Sequence, residues 1–70
     1  GLAVESPLDG NTTPVDVKVG DTVRIGQTVA ILEAMKMENE IQAEHDGTVT
    51  AVNVGKGDHV TVGEPIITIG

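Results

Sequence analysis

Slid along itself by 37 positions, the chain matches itself without a gap. Asp9-Gly10 falls on Asp46-Gly47, Thr13 on Thr50, Val15 and Val17 on Val52 and Val54, Gly20-Asp21 on Gly57-Asp58, Val23 on Val60 and Gly26 on Gly63. Nine of the 25 positions from Asp9 to Glu33 are identical, and most of the identities sit at glycines or at alternating valines. Self-similarity at a fixed spacing is the signature of repeated structural units. A chain of 70 residues has room for one small domain. The repeat therefore predicts one domain made of two similar halves, about 4–33 and 41–70, packed about a pseudo-twofold axis.

Each half reads as β. Val15, Val17 and Val19 alternate with Asp16 and Lys18, and Val23 and Ile25 flank Arg24. Val29 and Ile31 continue the alternation, and Val52/Val54 and Val60/Val62 repeat it. A period of two is that of a half-buried strand. Ile66-Ile67-Thr68-Ile69 reads as a closing strand. Gly10, Gly20, Gly26, Gly47, Gly55, Gly57 and Gly63 punctuate the pattern as turn positions, several beside aspartate. Short strands with regular turns indicate a small all-β sandwich or barrel. Residues 31–41 are rich in helix formers, and propensity alone would make them a helix. The repeat argues otherwise. It equates Val29–Leu32 with Ile66–Ile69 and Val4 with Ile41, which leaves Lys36 in a turn between two strands. Pro14 lacks an amide donor, so the strand around it is expected to be an edge or broken.

Composition removes several classes of function. The chain has no aromatic residue and no cysteine, so its core must be aliphatic and no disulfide or thiolate metal site can brace it. A domain this small buries only about 60% of its unfolded surface. The formal net charge is −7, from eleven acids against four basic residues. No basic face for nucleic acid can be assembled from that set. No apolar run approaches the ~20 residues of a membrane-spanning helix, and an anionic lipid surface would repel the chain. His45 and His59 read as ordinary surface histidines without ligand-spaced partners. Asp9, Asp21, Asp46 and Asp58 read as turn residues beside glycine, too dispersed for a calcium loop. No nucleophile-and-base pair is visible. The chain starts at Gly1, and we expect it to be a piece of a longer polypeptide or a processed subunit.

Between the halves lies Glu33-Ala34-Met35-Lys36-Met37-Glu38. With Ser6-Pro7-Leu8-Asp9-Gly10, Val19-Gly20-Asp21-Thr22-Val23, Gly26-Gln27-Thr28-Val29 and Gly57-Asp58-His59-Val60, this segment resembles the biotinyl domains of biotin-dependent carboxylases, decarboxylases and transcarboxylases. The glycine turns are shared with lipoyl domains and point to the fold. The Met-Lys-Met flank points to the cofactor. The resemblance implies a barrel-sandwich of two four-stranded antiparallel sheets with no helix. It implies biotin in amide linkage to Lys36, which stands at the tip of the 34–37 hairpin. Ala34, Met35 and Met37 would contact the biotin arm, and Glu33 and Glu38 would assist recognition by the ligase.

The resemblance further implies a carrier without catalysis of its own. A biotin protein ligase would load it. The swinging arm would then shuttle an activated carboxyl group between a biotin carboxylase and a carboxyltransferase or decarboxylase, in the cytoplasm or, in a eukaryote, the mitochondrial matrix. The halves align without an insertion, which leaves no room for the extra thumb of some bacterial acetyl-CoA carboxylase carriers. That favours a propionyl- or methylmalonyl-CoA, oxo-acid or decarboxylase host. Lys18 and Arg24 are expected on outer strand faces. Lys56, in Gly55-Lys56-Gly57, is the rival acceptor and lacks the methionines. Two other readings stay open. A lipoyl-type carrier usually has Asp before and Ala after its lysine. A structural barrel of the membrane-fusion adaptor kind usually has a long helical hairpin between its half-motifs.

Overall fold

The computed structural model describes residues 1–13 and 15–70, and among them it has eight strands and no helix. The strands are β1 (Leu2–Glu5), β2 (Gly10–Thr12), β3 (Thr22–Val23), β4 (Thr28–Ala34), β5 (Met37–Gln42), β6 (Gly47–Val52), β7 (His59–Val60) and β8 (Pro65–Ile69). They form two antiparallel four-stranded sheets, ordered β1-β8-β6-β3 and β5-β4-β2-β7. The 37-residue shift carries β1 to β5, β2 to β6, β3 to β7 and β4 to β8. It therefore converts one sheet order into the other. Each sheet draws strands from both halves, so neither half owns a complete sheet.

The symmetry reaches single hydrogen bonds. Ser6 N donates to Glu64 O at 2.9 Å, and its counterpart Ala43 N donates to Gln27 O at 2.8 Å. Val62 N donates to Asp9 Oδ1 at 2.8 Å, and Ile25 N donates to Asp46 Oδ1 at 2.7 Å. Asp21 and Asp58 accept from Lys18 N and Gly55 N three residues back, closing local turns. Turn chemistry thus accounts for Asp21 and Asp58. Asp9 and Asp46 reach across the molecule and hold the turn of the other half.

Fourteen apolar side chains form the core, all Val, Ile, Leu or Ala, and Ser6 and Thr12 are buried with them. Among the described residues, every buried side chain has a buried partner 37 positions away: Val4 with Ile41, Ser6 with Ala43, Thr12 with Val49, Val17 with Val54, Val23 with Val60, Val29 with Ile66, Ala30 with Ile67 and Leu32 with Ile69. Burying a hydroxyl costs free energy unless it finds an acceptor. Ser6 Oγ donates to Leu8 O at 2.6 Å, and Thr12 Oγ1 to Gly55 O at 2.5 Å. No buried side-chain polar atom among the described residues is left without a partner.

Several expectations about strands need correction. Val15, Val17 and Val19 do not make a strand. Val17 is buried, but Val19 is 63% exposed in a turn, and the Lys18 amide is taken by Asp21 instead of a ladder. Lys18 and Arg24 are exposed but lie outside the strands. Ile25 and Val62 are likewise turn residues, 67% and 65% exposed, because Asp46 and Asp9 claim their amides. Val54 is buried just beyond the end of β6. In β4 the register against β5 shifts between Thr28 and Ala30. Such a bulge turns two successive residues to one face, so Val29 and Ala30 are both buried and Ile31 points outward, half-exposed. Gly20, Gly26, Gly57 and Gly63 do take positive φ in turns. Gly10 and Gly47 instead open strands, and Gly55 has no positive φ. The expectation about Pro14 lies outside the described residues.

Candidate functional site

The longest ladder in the molecule builds the site. β4 and β5 pair from Thr28/Gln42 to Ala34/Met37, leaving Met35 and Lys36 as a two-residue loop. Both have left-handed backbone, φ 53° for Met35 and 62° for Lys36. Two successive positive φ values are those of a type I′ turn, whose twist matches that of the flanking strands. Such turns usually take Asn-Gly, since a side chain in the left-handed region costs roughly 1–2 kcal/mol per residue. This chain places two long side chains there instead.

Those side chains face solvent. Met35 is 91% exposed and Met37 65%, and Lys36 is exposed between them. Methionine ordinarily fills core gaps, and neither does so here. Asn39, half-buried on β5, donates its side-chain amide to Leu32 O at 3.4 Å and Met37 O at 3.3 Å, bracing the hairpin below the tip. Ala34, half-buried, ends β4.

One pair below the tip, Glu33 and Glu38 stand directly opposite each other, both exposed. Like charges in directly opposed positions destabilise a strand pair. The same row runs on across the sheet through Asn11 to His59, with His59 Nδ1 and Asn11 Oδ1 3.1 Å apart. His45 and His59 are both exposed, and no group of three metal-ligating side chains occurs among the described residues.

β1 runs from Leu2 to Glu5, and the 6–9 loop then delivers Gly10 beside the tip end of the second sheet. Leu2 pairs with Ile69, so the chain ends lie at the other end of the barrel. Lys56 stands in the turn before β7, anchored by Asp58 through Gly55 N, and has no apolar flank. The structure thus brings Glu33, Ala34, Met35, Lys36, Met37 and Glu38 together on one hairpin. Gly10, beneath that hairpin, was not legible as a site residue. Its Asp-Gly signal reads like a turn, and only the strand register reveals its neighbours.

A sequence model of the family described as biotin-requiring enzyme matches residues 2–69. The chain belongs to this family. Over 38 residues it is 63% identical to the 2-oxoglutarate carboxylase large subunit of Hydrogenobacter thermophilus, a match covering 54% of this chain and 6% of that protein. Over 42 residues it is 50% identical to the methylmalonyl-CoA decarboxylase subunit gamma of Veillonella parvula, covering 60% of this chain and 33% of that protein. Its fold superposes on the urea carboxylase of Kluyveromyces lactis with TM-score 0.90 at 32% identity, covering 97% of this chain and 6% of the other. The chain therefore spans a third or less of the length of these relatives. The chain carries the two four-stranded antiparallel sheets that the resemblance implied.

Proposed function

We propose that this domain is a biotin carboxyl carrier and that Lys36 is its acceptor. The observation that carries the reading is the type I′ tip, where Lys36 stands exposed between two exposed methionines on left-handed backbone. The fold gains nothing from that arrangement. A Gly-containing turn would cost less, and buried methionines would stabilise more. The residues present suit the cofactor. A primary amine free of packing can enter a ligase and, once deprotonated, would attack the carbonyl of biotin activated as its mixed anhydride with AMP, the amide forming as the acyl–phosphate bond breaks and AMP leaves. Bound there, biotin supplies a ring nitrogen that takes up and gives up a carboxyl group.

The protein's own contribution is positional. The β4–β5 ladder holds the tip stiffly, and Asn39 ties its base. Met35 and Met37 present an apolar collar to the ligase and to the arm. Glu33 and Glu38 offer the ligase two carboxylates below the lysine. Tethering makes the arm intramolecular at both partner sites, with an effective concentration around millimolar. The partners would be a biotin carboxylase and a carboxyltransferase or decarboxylase, in the cytoplasm or mitochondrial matrix. The domain itself catalyses nothing.

The test is co-expression with a biotin protein ligase, followed by intact mass and a streptavidin blot. One biotinyl group is expected on the wild type and none on Lys36→Arg, whose circular dichroism should be unchanged. Acylation removes one positive charge, so the formal charge should pass from −7 to about −8 and the band should move toward the anode. Labelling of Lys36→Arg would move the site elsewhere, and a lipoyl adduct without streptavidin signal would sink the biotin reading.

A further inference from the structure

Gly10 is the first residue of β2, is buried, and lies between β4 and β7. It is not among the glycines with positive φ, so backbone freedom does not explain it. Lack of a side chain does. A Cβ built on Gly10 would lie 2.8 Å from Glu33 O and 3.2 Å from Ala34 Cβ. Glu33 and Ala34 are the last two residues of β4 before the Met35-Lys36 tip. β5, on the far side of β4, is the edge of its sheet. Within the sheet the β4–β5 hairpin is therefore flanked by β2 on one side only, while Leu32 and Ile41 anchor its lower part in the core. Glu33 and Ala34 lie beyond those anchors, so a push there displaces the tip end of the hairpin with its ladder intact.

We propose that Gly10 is a positioning residue for Lys36, and that the backbone contact it permits sets where the lysine stands relative to the barrel. The proposal rests on the carrier reading above. Ordinary van der Waals separation requires the Gly10–Glu33 gap to open by about 0.6 Å if a methyl group is added. That displacement is applied close to the turn that carries Lys36. A ligase that grips the domain and reaches for one amine reads such a shift directly, because reacting atoms must meet in a narrow geometry.

The pseudo-twofold supplies a matched control. Gly47 occupies the equivalent place in β6, and its Cβ would lie 2.8 Å from Gly70 O and 2.5 Å from Ile69 Cγ2. The close approach is thus a property of the barrel at both ends. What differs is what hangs on it: Lys36 at one end, the end of β8 at the other.

Gly10→Ala and Gly47→Ala should both lower the thermal midpoint. Only Gly10→Ala should lower the ligase kcat/KM for the intact chain, on the order of 10- to 100-fold, and only Gly10→Ala should displace the amide resonances of Met35 and Lys36. Acylation of Lys36 by a small activated ester, which senses exposure and not position, should be unchanged in both. An equal kcat/KM loss in the two variants, or no loss in a folded Gly10→Ala, overturns the proposal. If Gly10→Ala does not fold, the comparison with Gly47→Ala is repeated in a stabilising osmolyte, which favours the compact state without altering the contact. A wild type that takes no biotin on Lys36 sinks the carrier reading instead, and the resonance comparison then decides the positioning claim by itself.

Discussion

At Met35 and Lys36 the backbone takes a conformation that neither side chain favours, with φ 53° and 62°. The flanking ladder imposes it, since a two-residue connection between right-twisted strands demands a primed turn. Met35→Asn should relax the first of these positions, because asparagine tolerates left-handed backbone. We expect a gain of about 0.5–1 kcal/mol, or roughly 2–8 °C in thermal midpoint. Ligase turnover should fall in the same variant, since one arm of the apolar collar is gone. Stability and modification moving in opposite directions would mark Met35 as kept for its side chain. A variant both less stable and fully biotinylated would refute that.

Among the elements, the turns before β4 and β8 depend on carboxylates from the other half. Asp46 accepts from Ile25 N and Asp9 from Val62 N. These bonds tie the 24–27 turn to the loop after β5 and the 61–64 turn to the loop after β1. Each is exposed, so its worth is modest, about 1 kcal/mol. Asp9→Ala and Asp46→Ala should lower the urea midpoint by similar amounts, and the double variant by the sum, since the two bonds share no partner. Unequal losses beyond about 0.5 kcal/mol, or a non-additive pair, would show that the twofold does not extend to energetics.

For the whole molecule, the interleaving of halves is decisive. Both sheets need strands from both halves, and the buried residues pair across the repeat. A peptide spanning residues 1–36 or 37–70 alone should be disordered by circular dichroism, because it can complete neither sheet nor core. Folding of either peptide would mean that the halves are autonomous. Leu32 is fully buried in an all-aliphatic core. Leu32→Ala should cost about 2–5 kcal/mol, enough to unfold much of a domain this small. Exchanging the symmetry mates, Leu32→Ile with Ile69→Leu, conserves volume and should cost less than about 1.5 kcal/mol. Urea denaturation separates the two outcomes.

By itself the sequence determined the two-half β architecture and the turn between the halves. A 37-residue repeat with paired glycines and valines has few other ways to bury its apolar side chains, and that constraint overrode the helix propensity of residues 31–41. It also determined which hairpin stands out, because a Met-Lys-Met tip is written locally. Only the tertiary structure decided which alternating valines are strand and which are turn. Val19, Ile25 and Val62 share the periodicity of buried residues, yet nearby carboxylates claim the amides of these turns. Only the tertiary structure revealed why Gly10 and Gly47 are glycine. A close approach between strands remote in sequence leaves no trace in local composition, so the residue beneath Lys36 looked like any turn glycine until the register placed it against Glu33.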